Sequence, residues 1–132
     1  MKKIKILIIG GDDAYVLLVR GELEGMGYQV DLEQYAKDAL AKLHLAESLQ
    51  DGYSLIIVHS TRLPDMNTEE LIRQVATSPA SSCSTHIILC SGAPNLLDDS
   101  RKYMDAGAER IFPEPYDLEQ LVEAISDLVA VH

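Results

Sequence analysis

Four short stretches bring together the residues able to do polar chemistry: Gly10-Gly11-Asp12-Asp13, His59-Ser60-Thr61-Arg62, Ser91-Gly92 and Glu114-Pro115. Asp12 and Asp13 could hold a divalent cation, or cap a helix whose first-turn N–H groups and dipole favour negative charge. Ser60 is a nucleophile only with a general base in reach, and otherwise a solvated or capping serine. His59 is its strand neighbour, which assigns the imidazole to the opposite face as a packed residue rather than a ligand. Gly10-Gly11 lacks the spaced glycines of a dinucleotide or phosphate-cradling turn, and Asp12 would repel a phosphate there. The four histidines (44, 59, 86 and 132) lack metal-ligand spacing. With no nucleophile–base pair and no ligand cluster in view, a small-molecule enzyme is disfavoured.

Elements must position those stretches, and the composition allows a core to do so. The chain has 132 residues, 47% hydrophobic and 24% charged, which suits one globular domain spanning residues 1–132. A formal charge of −10, with no Lys/Arg run to offset it, argues against nucleic-acid binding. Two cysteines are too few for a disulfide framework. Cys90 ends an apolar run and reads as a small buried hydrophobe, while Cys83 lies in a Ser-rich loop. The apolar stretch after the basic Met1–Lys5 is too short for a signal peptide or a membrane span. A cytoplasmic location and no membrane association are therefore expected.

Apolar runs alternate with helical periodicity. Ile6–Ile9, Leu55–Val58 and Ile87–Cys90 are continuous and β-rich, as strands buried on both faces require. Tyr28–Leu32 and Arg110–Phe112 are weaker strands, placed nearer the sheet edges. Val16, Val19, Leu23 and Met26 follow helical spacing up to a stop at Gly27. Ala36, Ala39, Leu40 and Leu43 begin a second stripe extending towards Leu49, before Asp51-Gly52. Thr68 is the expected N-cap of a third helix carrying Leu71, Ile72 and Val75, with Pro79 beyond its end. Leu96, Leu97, Ser100 and Met104 mark a fourth, closed near Gly107. Asp117 caps the last, with Leu118, Leu121, Val122, Ile125, Leu128 and Val129 as its core face. Five strands alternating with five helices give an α/β domain with helices on both sides of a parallel sheet. Ligands of such sheets bind beyond the carboxyl ends of the strands, where the four polar stretches fall.

In order and spacing these pieces resemble the receiver domains of response regulators. Lys5–Ile9 resembles their first strand, and Gly27-Tyr28-Gln29-Val30 the entry to the second. Tyr53–Val58, the leucine-proline turn Leu63-Pro64 and Asp65-Met66-Asn67 resemble the third strand and the turn after it. His86–Ser91 resembles the fourth strand with its switch hydroxyl. Ala106-Gly107-Ala108 and Pro115-Tyr116 resemble the flanks of the fifth. The resemblance implies a flavodoxin-like doubly wound fold of three layers, strand order 2-1-3-4-5, and a Glu114-Pro115 bond in the cis form.

Receivers carry a phosphoryl group on an aspartate four residues before that proline. An acidic pair after the first strand helps hold Mg²⁺, a Ser or Thr ends the fourth strand, and a Lys precedes the later proline. The transfer needs all of these: a nucleophilic carboxylate, a divalent cation on the oxygens and cationic neutralisation of the moving group. In this chain, counting back from Pro64 puts Ser60 at the phosphoacceptor position. Gly10 and Gly11 stand at the acidic pair, with Asp12 and Asp13 one step later. Ser91 matches the switch hydroxyl, and Glu114 replaces the lysine with opposite charge. Mg²⁺ binding is therefore expected to be lost or weak. Arg62 is expected to pair with Glu114, or with Asp12, in the space a metal would fill, contributing about 1–3 kcal/mol if partly desolvated.

The resemblance thus implies a bacterial signalling domain that acts by protein–protein contact without aspartyl phosphorylation. Its partner, or a second copy, would dock on the face of the fourth helix, fifth strand and fifth helix. The sequence stops at His132, straight after the last helix, so output is expected from a partner or from a larger protein. The alternative is a domain still phosphorylated, at Ser60 or at Asp12 or Asp13.

Overall fold

The computed structural model describes residues 4–10, 14–59, 63–77, 85–93, 96–114 and 116–130. Five strands alternate with five helices: β1 (Lys5–Ile9), α1 (Ala14–Gly25), β2 (Gln29–Glu33), α2 (Ala36–Ser48), β3 (Leu55–Val58), α3 (Thr68–Thr77), β4 (His86–Ser91), α4 (Ser100–Ala106), β5 (Arg110–Pro113) and α5 (Leu118–Ala130). The strands form one parallel sheet in the order β2-β1-β3-β4-β5. That is the flavodoxin-like arrangement, and β2 and β5 lie at its edges as their mixed composition implies.

Period-two alternation divides the apolar strand residues between two cores. Ile6, Ile8, Leu55, Ile57, Ile88 and Cys90 face α1 and α5, against Val16, Val19, Leu23, Leu121, Ile125 and Val129. Leu7, Ile9, Ile56, Val58, Ile87 and Leu89 face α2, α3 and α4 on the other side. A sheet covered on both faces has no solvent side, which is why β1 and β3 read as unbroken hydrophobic runs.

Helix boundaries depart from the sequence in three places. Glu70 N–H donates to Asn67 Oδ1 at 3.2 Å, so Asn67 caps α3; Thr68 lies inside the first turn and is buried. The fourth helix begins at Ser100 rather than near Leu96. Leu96 is buried ahead of it, whereas Leu97 and Met104 are exposed and Tyr103 and Ala106 supply its core face. Likewise Met26 and Leu49 lie beyond α1 and α2 with exposed side chains, so neither stripe extends as far as its apolar residues suggest. Asp117 caps α5 as expected, accepting from the N–H groups of Glu119 at 2.8 Å and Gln120 at 3.2 Å.

The cap of α2 comes from a distant loop. Its own N-cap residue, Tyr35, makes no side-chain cap bond. Asp65, after the Leu63-Pro64 turn, accepts from Ala36 N–H at 2.8 Å and Lys37 N–H at 2.9 Å. The backbone N–H of Lys37 is the main cause that holds the Asp65 carboxyl below its ordinary value of 3.8. A folded-state pKa below the unfolded one gives stability that is present above the unfolded value and lost as pH falls through the folded one. Asp65→Asn should therefore lower the melting temperature at pH 7, and the difference from the parent should shrink below pH 4, near the ordinary carboxylate value (about 3.9). A pH-independent difference in a thermal-melt series would show that the carboxylate charge is not what caps the helix.

Candidate functional site at the carboxyl ends of the strands

The ends of β1, β3, β4 and β5 converge because their registers are aligned. Ile9 pairs with Val58, Val58 with Leu89, and Ser91 with Pro113. Gly10, His59, Ser91 and Glu114 follow or end these strands, and each is tied to a neighbour by backbone. Gly10 N–H donates to Glu33 O at 2.7 Å, His59 N–H to Ile9 O at 2.8 Å, and Glu114 N–H to Ser91 O at 2.8 Å.

Gly10 is buried at φ +84°, in the left-handed region where a side chain is disfavoured. Gly10 thus suits this strand end, and it brings no carboxylate of its own. Ser91 is buried, and its Oγ accepts from Ala93 N–H at 3.1 Å, turning the chain out of β4. Gly92 follows directly beneath Glu114: a Cβ built on Gly92 would meet Glu114 Oε2 at 2.9 Å.

His59 is packed, as its sequence assignment had it, and it belongs to this cluster. It continues the alternation of Leu55 and Ile57 and so faces the α1/α5 side, where the segment after β5 brings Glu114 and Tyr116. The His59 side chain is 1% exposed and that of Glu114 22%, with Nδ1 3.6 Å from Oε1. Nε2 lies 2.7 Å from the Tyr116 hydroxyl. Among the described residues, Nδ1 has no hydrogen-bond partner. Tyr116 packs at 5.1 Å from the Tyr15 ring of α1 and 6.3 Å from Phe112 of β5. Cys90 lies in the same core. Burial first, then the charge of Glu114, pushes its thiol pKa far up, so it is an inert neutral group.

Gly11, Asp12, Asp13, Ser60, Arg62 and Pro115 lie outside the described residues, and with them the Arg62 ion pair and the isomer of the Glu114-Pro115 bond. Among the described residues Glu114 faces His59. A signal for His59 was present in the sequence: four apolar residues precede it, as four precede Gly10, so strand length marks both as strand-end residues. Tyr116 carried no such signal, because its reach back to β3 depends on the turn between β5 and α5.

No family model matches the chain. It is 30% identical over 121 residues to the response regulator ArlR of Staphylococcus saprophyticus, a match covering 92% of this chain and 50% of that protein. The chain thus spans about half the length of the curated relative it matches. A receiver-domain protein (CheY-like) from Methanospirillum hungatei superposes with a TM-score of 0.80 at 25% identity, covering 98% of this chain and 95% of the other. The receiver domain of a sensor histidine kinase from Pseudomonas aeruginosa, solved with a magnesium ion in its active-site cleft, gives a TM-score of 0.75. It is 19% identical over 98% of this chain and 99% of its own, a likeness of fold.

Proposed function

Because the chain belongs to the receiver-domain family of response regulators, we propose that it is a signalling receiver that works without aspartyl phosphorylation and acts by protein–protein contact. The observation carrying this reading is the pair His59–Glu114. Glu114, at the position where the transfer chemistry calls for a cation, is a carboxylate, and it faces the imidazole next to the Ser60 position. Neither nitrogen is an open nucleophile, since Nε2 is engaged by Tyr116 and Nδ1 is buried against a negative charge.

The described residues do not fit the Mg²⁺ that the P. aeruginosa neighbour holds. That ion demands near-octahedral oxygen ligands. Gly10 offers no side chain, His59 offers nitrogen, and among the described residues of the site Glu114 alone is a carboxylate. Among the described residues no group of three or more His, Cys, Asp or Glu is arranged to hold a metal. No step of the mechanism is routed through a metal, and the domain is read as a binding module rather than an enzyme.

The docking face is proposed to be α4, β5 and α5, for a protein partner or a second copy. Exposed Leu97 and Met104 beside and on α4, and exposed Arg110 on β5, give it apolar and charged contacts. The charge of −10 supports a role without nucleic acid. No helix of the described residues is long and apolar enough to cross a membrane, which is consistent with the proposed cytoplasmic location.

Incubation with Mg²⁺ and acetyl phosphate, followed by intact mass, tests the reading. The mass should not change. A hydroxylamine-labile adduct of one phosphoryl unit would overturn it. An adduct mapped to Ser60, Asp12 or Asp13 would install the phosphoacceptor alternative in its place.

A further inference from the structure

We propose that His59, Glu114 and Tyr116 form a proton-operated latch, in which one proton bound at the end of β3 repositions the connections leading into α4 and α5. The inference rests on the phosphorylation-independent reading and supplies the input that reading leaves open.

A neutral imidazole carries one proton on two nitrogens, and here the nitrogens face different partners. Nε2 meets the Tyr116 hydroxyl at 2.7 Å, while Nδ1 stands 3.6 Å from Glu114 Oε1 without a hydrogen bond among the described residues. Adding a proton makes both nitrogens donors. Nδ1–H then forms a charge-assisted bond to Glu114, a contact that settles at about 2.7–2.9 Å. Closing the gap draws Glu114 towards β3. The proton of the neutral ring is the one on Nε2, already donated to the Tyr116 hydroxyl, so the added proton goes to Nδ1 and Tyr116 holds the ring in place as Glu114 closes on it.

Both partners sit where the chain leaves the sheet for a helix. The Glu114 carboxylate stands over Gly92, the first residue after β4, and Glu114 N–H holds Ser91 O. Tyr116 directly precedes Asp117, the cap of α5. A shift at either is passed to an edge of the proposed docking face.

The remaining groups around the imidazole leave the proton to this pair. From β4 comes Cys90, a thiol kept neutral by burial. From α1 comes Tyr15, its ring tilted against that of Tyr116. From β1 come Ile9 and Gly10, without titratable side chains. Glu114 is the one carboxylate within ion-pair distance of His59 among the described residues. Imidazole is the side chain suited to change charge between about pH 5 and 8.

An NMR titration of the full chain across that range decides the matter. The His59 ring signals and the amides of Gly92, Glu114 and Tyr116 should follow one shared transition. His59→Gln should abolish it, while His86→Gln, which breaks the separate pair with Glu109, should leave it intact. If His59→Gln does not fold, Glu114→Gln keeps the imidazole and should remove the Gly92 response. Replacing Asp12 and Asp13 by Asn should preserve the transition; its loss would assign the response to those carboxylates and overturn the latch. A His59 ring that keeps one protonation state, or that titrates while the three amides stay still, would also overturn it. The acetyl phosphate experiment reads mass alone, so failure of the receiver reading and failure of the latch are separate results.

Discussion

Ile57→Ala should lower the unfolding free energy by about 3–4 kcal/mol, measured by urea denaturation, with the slope of the transition unchanged. Ile57 is fully buried in β3, flanked by β1 and β4, and packs towards α1 and α5. Removing its branched side chain forfeits transfer energy and opens a void that a sheet paired on both edges cannot collapse to fill. The exposed Leu97 supplies the control: Leu97→Ala should change stability by less than about 0.5 kcal/mol. A loss below about 1.5 kcal/mol at Ile57 would mean that the α1/α5 core repacks around the missing atoms, contrary to the close packing inferred for it. The latch would then sit on a yielding floor, since His59 continues the same strand face.

Gly107→Ala should cost a comparable amount, about 3–4 kcal/mol, for two separable reasons. Gly107 closes α4 at φ +137°, a conformation that L side chains rarely adopt and that costs about 1–3 kcal/mol. A Cβ there would also lie 2.6 Å from Ala76 Cβ on α3 and 3.6 Å from Ile72 Cγ2. That overlap forces the two helices apart and adds about 1–3 kcal/mol. A double-mutant cycle with Ala76→Gly isolates the steric part, since removing the Ala76 methyl relieves the overlap and leaves the backbone strain. A coupling of about 1–2 kcal/mol is expected. Zero coupling would show that α3 and α4 separate freely at this contact.

How much of this was legible beforehand depends on whether the signal is local. The central strands follow from runs such as Ile6–Ile9 and Leu55–Val58, because a strand covered on both faces must be apolar throughout, whereas the order 2-1-3-4-5 came from the receiver resemblance. Asp117 as the α5 cap was equally readable, since the cap and the N–H groups it serves are two and three residues apart. The fourth helix was misplaced because Leu96 packs into the core from the turn before it, so a buried leucine imitated helical periodicity. The cap of α2 was hidden for a related reason: Asp65 is about thirty residues from Ala36, and nothing in local spacing joins them.

The candidate site divides along the same line. The residue types, set against an ordered resemblance, are what gave the reading of glycine where the receiver pattern has an acid and glutamate where it has lysine. The amino-acid order also fixed which strands must be central, through the continuity of their apolar residues. Only the tertiary structure decided what Glu114 faces. Parallel register levels the end of β3 with the end of β5 across β4, and an imidazole buried there, far away in the chain, takes a contact that counting along a single loop cannot reveal.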